Sequence, residues 1–333
     1  MSVQVNPVQM NPVRMNDLYA ARARISGVAL RTPLVPAWSL TTDERDVRLK
    51  LETTQPTGAF KLRGAANAIA RLPREQSEKG VACVSTGNHG RAVAYAAHRL
   101  GIQAHICMSR LVPRNKVEAI EAIGGNVRIL GESQDEAQHE VDRLVHEQGM
   151  IQVPPFDHFD VVAGQGTIGI ELVEDWPAVD TVIVPLSGGG LIAGVALAVK
   201  TLVPGVRVIG LSMERGAAMY ESVRAGQPVE VEEYPSLADS LGGGIGLDNR
   251  YTFAMVRDLV DDIRVVPEAG IAEAMRYLYQ QEGWVAEGGG AIGLAPLLHD
   301  LDLPLGRRIA IVVSGKNVDM NLFARVMAGE VPY

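Results

Sequence analysis

Lys61 is the residue of this chain best placed to do chemistry. It stands in TGAFKLRG, residues 57–64, directly after Phe60 and between Gly58 and Gly64, and Arg63 is its only near charged neighbour in sequence. An ammonium held in apolar surroundings loses hydration, so its pKa falls and the free amine becomes available to form a Schiff base with a carbonyl. Taken alone, the segment reads as a solvated lysine at a helix start. Three further stretches shift the balance: STGNHG (Ser85 to Gly90), SGGGL (Ser187 to Leu191) and SGKNVD (Ser314 to Asp319). Each follows an apolar run that reads as a buried strand and precedes a helix-like segment. All three are therefore expected at the carboxyl ends of strands, where open α/β sheets place their ligands.

The types of residue in these loops suggest what they hold. Gly188, Gly189 and Gly190 let the backbone approach closely, and successive N–H groups at a helix start point into one concavity that suits a phosphate. The run lacks the GxGxxG spacing of a dinucleotide fingerprint and the GK[ST] of a P-loop, so a tight glycine turn without ligand stays open. Ser85, Thr86, Asn88 and His89 present side chains and N–H groups at another helix start, an arrangement suited to a carboxylate or phenolate oxygen, with simple capping by Asn88 as the competing reading. Ser314 ends an apolar strand. GGGIG (Gly242 to Gly246) and EGGG (Glu287 to Gly290) are further places for close backbone approach, and Glu287 is a carboxylate in an apolar stretch.

Positioning such loops needs an alternating framework. A helix is expected from Asn16, then a proline-punctuated connection (TPLVPAW), a strand at Val47 to Glu52, and a turn at Gln55 to Gly58 that delivers Lys61. From Val81 strands and helices alternate (VACVS, RAVAYAAHRL, QAHICM, KVEAIEAI, NVRIL, SQDEAQHEVDRLVHEQ), with Pro113 opening one helix and Gly124 and Gly125 closing it. A second alternation runs from TVIVPL to RRIAIVVS and a closing helix from Val318. Such a rhythm means βαβ units and parallel sheets. The expected organisation is α/β with two parallel-sheet domains: a small one at residues 68–157 inserted into a large one formed by residues 1–67 and 158–333. In PPFDHFD, His158 between Asp157 and Asp160 has too few ligands from distinct elements for a divalent site.

Composition bounds the partners. A net charge of -8 with no basic run argues against nucleic acid, and no stretch is long and apolar enough for a membrane span. A small-molecule partner is expected. The two cysteines, Cys83 and Cys107, lie in apolar strand-like runs without CxxC spacing and read as buried thiols in a reducing, cytoplasmic compartment. The first fifteen residues mix Pro, Asn and Gln without a continuous apolar core, so a frayed polar tail is expected rather than a secretory signal.

With Lys61, the NHG triplet, the triple-glycine loop and the SGKN turn in this order, the chain from about Ala20 onward resembles the fold-type II pyridoxal-phosphate enzymes (tryptophan synthase β-like), in the serine/threonine dehydratase branch. The wording TGAFKLRGA, STGNHGRAVAYAA, SMERGAAM and SLADSLGGGIGLDNR is most similar to the hydroxyectoine utilization dehydratases. The resemblance implies pyridoxal 5'-phosphate between the two domains, Lys61 as its Schiff-base lysine and Phe60 as its ring-packing neighbour. Asn88 would bond the phenolic oxygen, Gly188, Gly189, Gly190 and Leu191 the phosphate, and Ser314 would face the pyridine nitrogen. Ser85, Thr86 and His89 would form the loop that receives the substrate carboxylate. The implied activity removes water from a β-hydroxy amino acid to give a 2-oxo acid and ammonia, in a homodimer or homotetramer. A serine at position 314 favours elimination over transamination.

The chain departs from that pattern in places. Ala59 stands where many relatives have serine, and Thr86 where serine racemases carry a proton-returning serine, which weighs against racemase activity. Ser212 and Ala218 occupy positions where metal-binding relatives have acidic ligands, and Glu214 alone is a thin substitute, so no metal is expected. The chain ends at Tyr333, leaving no room for the regulatory domain of the biosynthetic threonine enzymes. A β-replacement synthase shares the scaffold but usually carries threonine where His89 stands. A non-catalytic binding module of the same fold is opposed by the intact Lys61, and a nicotinamide oxidoreductase by the missing fingerprint.

Overall fold

The computed structural model describes residues 12–333 apart from Thr86, Leu111, Pro113 and Asp300. The tail over residues 1–11 and the expectations for Thr86 and Pro113 thus lie outside the described residues. Among the described residues ten strands are formed: β1 (Leu34–Pro36), β2 (Asp46–Leu51), β3 (Val81–Val84), β4 (Ala104–Met108), β5 (Asn126–Ile129), β6 (Ile151–Gln152), β7 (Thr181–Pro185), β8 (Arg207–Met213), β9 (Asp262–Val266) and β10 (Arg308–Val313). They make a six-stranded sheet in the order β1-β2-β10-β7-β8-β9 and a four-stranded sheet in the order β5-β4-β3-β6. Every pairing is parallel except that of β1 with β2. The molecule is therefore α/β with two parallel-sheet domains. The reversed β1 lies within TPLVPAW, which the sequence presents as a connection. Two prolines and only three residues of strand hide it.

Alternation along β10 shows how the larger sheet is sandwiched. Ile309, Ile311 and Val313 enter one core, under the helices Glu268–Glu282 and Met320–Met327, while Ala310 and Val312 enter the other, under Phe159–Asp175 and Gly190–Leu202. A strand buried on both faces reads as a continuous apolar run, which is what RIAIVV is. In the smaller sheet Cys83, Ile106 and Met108 face the helices Lys61–Ala70 and Asn88–Arg99, and Ala82 and Cys107 face the helix Gln134–Gln148. Both cysteines are free and buried.

The helix Lys61–Ala70 packs between helix Asn88–Arg99, which belongs to the smaller sheet, and helix Phe159–Asp175, which covers the larger one. Glycines bring these backbones together. A Cβ on Gly164 would lie 2.5 Å from the carbonyl oxygen of Arg63, and one on Gly194 would lie 2.5 Å from that of Val162. Neither side has a side chain to spare, so Lys61–Ala70, Phe159–Asp175 and Gly190–Leu202 are locked in series by main chain on main chain.

β2 alternates apolar and polar residues, yet the side chain of its Lys50 is 0% exposed. Helix Phe159–Asp175 covers it, and Lys50 Nζ donates to Glu171 Oε2 at 2.8 Å and to the Thr32 carbonyl at 2.7 Å. Arg63 completes the cluster, donating to Glu52 from Nε and Nη2, both at 2.8 Å, and to Glu171 from Nη1 at 2.6 Å. Two buried cations thus meet two buried carboxylates, with Thr32 and Thr167 filling the remaining hydrogen bonds.

Candidate active site

The three loops follow strand ends as expected: Ser85 comes after β3, Ser187 after β7 and Ser314 after β10. They meet at one cavity of about 290 Å³. Lys61, Phe60, Ser85, Asn88, His89, Gly188, Gly189, Gly190, Leu191 and Ser314 all line it. Lys61 is the first residue of its helix, directly after the turn that delivers it, and it is enclosed rather than solvated. The sequence predicts Arg63 as the charged neighbour, but Arg63 points away into the cluster with Glu52 and Glu171. The charge that acts on Lys61 is Glu287.

Lys61 Nζ donates to the carbonyl oxygen of Pro155 at 2.7 Å and lies 5.3 Å from the centre of the Phe60 ring. Burial lowers its pKa to about 8, against the opposing pull of Glu287. A large fraction of the amine is thus unprotonated in mildly alkaline solution. Glu287 is displaced the other way, up to about 7, by burial and by the carboxylate of Asp239. Asn88 Nδ2 donates to Glu287 Oε1 at 2.7 Å, and Asn88 Oδ1 accepts from Asn317 Nδ2 at 2.6 Å. The Asn88 amide is thereby fixed in orientation, since its acceptor and donor ends face different partners.

His89 turns its ring into the protein, with Nε2 2.7 Å from the carbonyl oxygen of Val153. Burial and the neighbouring Lys61 push its pKa down to about 3, so the imidazole is neutral and Nε2 is the donor. Ser85 Oγ accepts from the N–H of Gly87 at 3.2 Å, and Ser314 Oγ donates to the Gly289 carbonyl at 3.4 Å. In the glycine loop, Gly189 has φ +88 and caps the helix Gly190–Leu202. A Cβ on Gly188 would stand 2.4 Å from the Phe156 ring, so only glycine lets the loop sit beneath that aromatic. The concavity presents main-chain N–H groups and a helix N-terminus, the donor set that suits a phosphate.

The PPFDHFD segment serves structure as well. Asp157 accepts from the main-chain N–H groups of Arg250, Tyr251 and Thr252, Asp160 pairs with Arg71 at 2.6 Å, and His158 Nδ1 accepts from Asp160 N–H. Ser212 donates to Met213 Sδ at 3.5 Å. Among the described residues no three His, Cys, Asp or Glu side chains are grouped to hold a metal.

Arg91, Lys116, Pro155, Phe156, Asp239, Ser240 and Asn317 also line the cavity, and the sequence assigns them no role. Asn317 sits in the SGKN turn, and Arg91 follows NHG by one residue, so both are adjacent to recognisable motifs. Asp239 and Ser240 arrive from SLADSLGGGIGLDNR, a distant loop whose side-chain directions its sequence does not give.

A family model described as pyridoxal-phosphate dependent enzyme matches residues 25–315. A putative threonine dehydratase of Sinorhizobium fredii is 53% identical over 312 residues, covering 93% of this chain and 94% of that protein. An L-threonine ammonia-lyase of Thermotoga maritima is 41% identical over 314 residues, covering 93% of this chain and 77% of that protein. The structure of maize serine racemase superposes with a TM-score of 0.89 at 37% identity, covering 96% of this chain and 98% of that one. The chain belongs to the pyridoxal-phosphate dependent enzymes. Within that family it is a lyase of the dehydratase type. The cavity fits the cofactor: an enclosed lysine amine faces it, and a cradle that a Cβ would fill lies on its wall.

Proposed function

We propose that this enzyme eliminates water from a β-hydroxy amino acid of the threonine/serine type, releasing a 2-oxo acid and ammonia. The observation that carries the reading is the Lys61 amine, poised near pH 8 in a cavity shared with a glycine phosphate cradle and the Ser85–His89 loop. Relatives named threonine dehydratase and L-threonine ammonia-lyase support it. Gly188, Gly189, Gly190 and Leu191 would hold the cofactor phosphate, Asn88 its phenolic oxygen and Ser314 its ring nitrogen, and Phe60 would pack on the ring. When bound, the cofactor draws electrons away from the substrate's Cα. Ser85, Thr86 and the main chain at His89 receive the substrate carboxylate at the start of helix Asn88–Arg99. The free Lys61 amine removes the Cα proton. The β-hydroxyl leaves as water, and the unsaturated product takes up water to give the 2-oxo acid and ammonia.

The similarity of SMERGAAM and SLADSLGGGIGLDNR to the hydroxyectoine utilization dehydratases supports a place in hydroxyectoine breakdown, in a cytoplasmic homodimer or homotetramer. Residues 68–157, which contain the four-stranded sheet, act as the small domain that faces the cofactor. The test is ammonia release by the cofactor-loaded protein from L-threonine, L-serine, threo-3-hydroxyaspartate and hydroxyectoine-derived diamino acids. Release that disappears in Lys61→Ala supports the proposal. Formation of the opposite enantiomer without ammonia would overturn it in favour of a racemase, and turnover only with sulfide and an activated serine would favour a synthase.

A further inference from the structure

Arg91 is a cation on the cavity wall to which the proposed chemistry gives no partner. It stands on the first turn of helix Asn88–Arg99, where side chains lean back toward the helix start, and lines the same cavity as Lys61. Its guanidinium is half-buried, and among the described residues its one hydrogen bond is a long one, from Nη1 to Asn317 Oδ1 at 3.3 Å. Among the described residues no carboxylate lies within ion-pair distance of it. Burial lowers its pKa, although Glu287 pulls the other way.

A guanidinium carries five N–H donors in a fixed fork matched to a carboxylate. Arg63, on the neighbouring helix, shows such a fork filled by two carboxylates. Holding one half-desolvated and mostly unfilled costs stability unless a ligand completes it.

The carboxylates of the cavity already have groups acting on them. Glu287 accepts from Asn88, Ser240 and the Asn317 main chain. Lys116 acts on Asp239. The glycine cradle after β7 serves a phosphate, and the loop after β3 serves an α-carboxylate at the helix N-terminus. Arg91 lies three residues beyond Asn88, about 4.5 Å further along the helix axis. It reaches the cavity beside Asn317.

We propose that Arg91 pairs with a second carboxylate of the substrate, so that the enzyme prefers acidic β-hydroxy amino acids such as 3-hydroxyaspartate to serine or threonine. This rests on the dehydratase reading for its turnover arm only.

The test compares wild type, R91Q and R91K as cofactor-loaded proteins. Calorimetric titration with malonate and with acetate reads binding without catalysis. Wild type is expected to bind the dicarboxylate at least about tenfold more tightly, R91Q to lose that preference, and R91K to retain part of it. In turnover, R91Q should raise KM for 3-hydroxyaspartate relative to serine by a similar factor, with kcat changed much less. A wild type without dicarboxylate preference, or an R91Q protein that keeps it, overturns the assignment. Ammonia release without that preference leaves the dehydratase reading standing and removes the role of Arg91. An Arg91-dependent malonate preference with no ammonia from any hydroxy amino acid does the reverse.

Discussion

Lys61 and Arg63 are two residues apart on one helix, and their side chains enter two buried charged regions of opposite character. Arg63 reaches Glu52 and Glu171 with a filled set of hydrogen bonds, and with Lys50 the cluster has two charges of each sign. Although burial pulls against it, Glu171 is held below its ordinary pKa by Arg63 and Lys50. Lys61 has one carbonyl to bond, a carboxylate acting at a distance, and a pKa brought down by burial. The first region spends its charges on holding helices and strand β2 in place. The second keeps them underpaired, which is where groups with pKa values shifted toward neutrality are found.

The sharpest way to test that contrast is to remove one residue from each region. Lys61→Ala should lower ammonia release by at least about a thousandfold while leaving folding stability within about 1 kcal/mol, as read by denaturant titration. Comparable loss of stability would mean that Lys61 is structural after all. Arg63→Met should cost about 3 to 5 kcal/mol, because Glu52 and Glu171 would remain buried without their cation. A cost below about 1 kcal/mol in urea unfolding would show that water or Lys50 compensates.

Glu287→Gln probes the underpaired side through pH. In the folded chain this carboxyl holds its proton up to about pH 7, against an ordinary 4.5, so folding takes up a proton between those values. Stability from this group is therefore present at low pH and falls as pH rises through about 7. The glutamine variant should be more stable than wild type at pH 8, by on the order of 3 kcal/mol at most, and the gain should vanish near pH 4. Because the Glu287 carboxylate favours the Lys61 ammonium, the same change should move the lysine midpoint below about 8, measured by borohydride-trapped incorporation of pyridoxal phosphate against pH.

His89→Asn should have the smallest effect. It removes the donor to Val153, for about 1 kcal/mol. No limb near pH 6.5 should be lost from the pH–rate profile, since the His89 imidazole is already neutral there. A limb near 7 that survives His89→Asn but disappears in Glu287→Gln would place that ionisation on the carboxyl.

Much of this was legible in the chain. The strand-and-helix rhythm from Val81 onward and the loops at Ser85, Ser187 and Ser314 are local patterns, so they could be read locally. β1 was missed because its pairing with β2 is made across a chain reversal. The burial of Lys50 leaves no local signal, because alternation reports only the pleat, whereas its cover comes from a helix more than a hundred residues later. Arg63 was placed beside Lys61 because neighbours in sequence are not neighbours in space on a helix, where residues two apart point in different directions. The loop from Ser236 to Asn249 is legible as pocket wall, but which of its side chains, here Asp239 and Ser240, turn into the cavity is not, since a loop's sequence does not orient its side chains.

The glycine contacts among the three helices have a consequence for how the site keeps its dimensions. Where two helices meet through long side chains, their spacing breathes with every rotamer change. At Gly164 and Gly194 there is no rotamer to change, so the span from the Lys61 helix to the glycine loop is fixed by main-chain thickness alone. The Lys61 amine and the glycine loop are in effect mounted on one rigid bracket. Alterations elsewhere on the cavity wall can then retune which molecule enters without detuning the distance across which it must react.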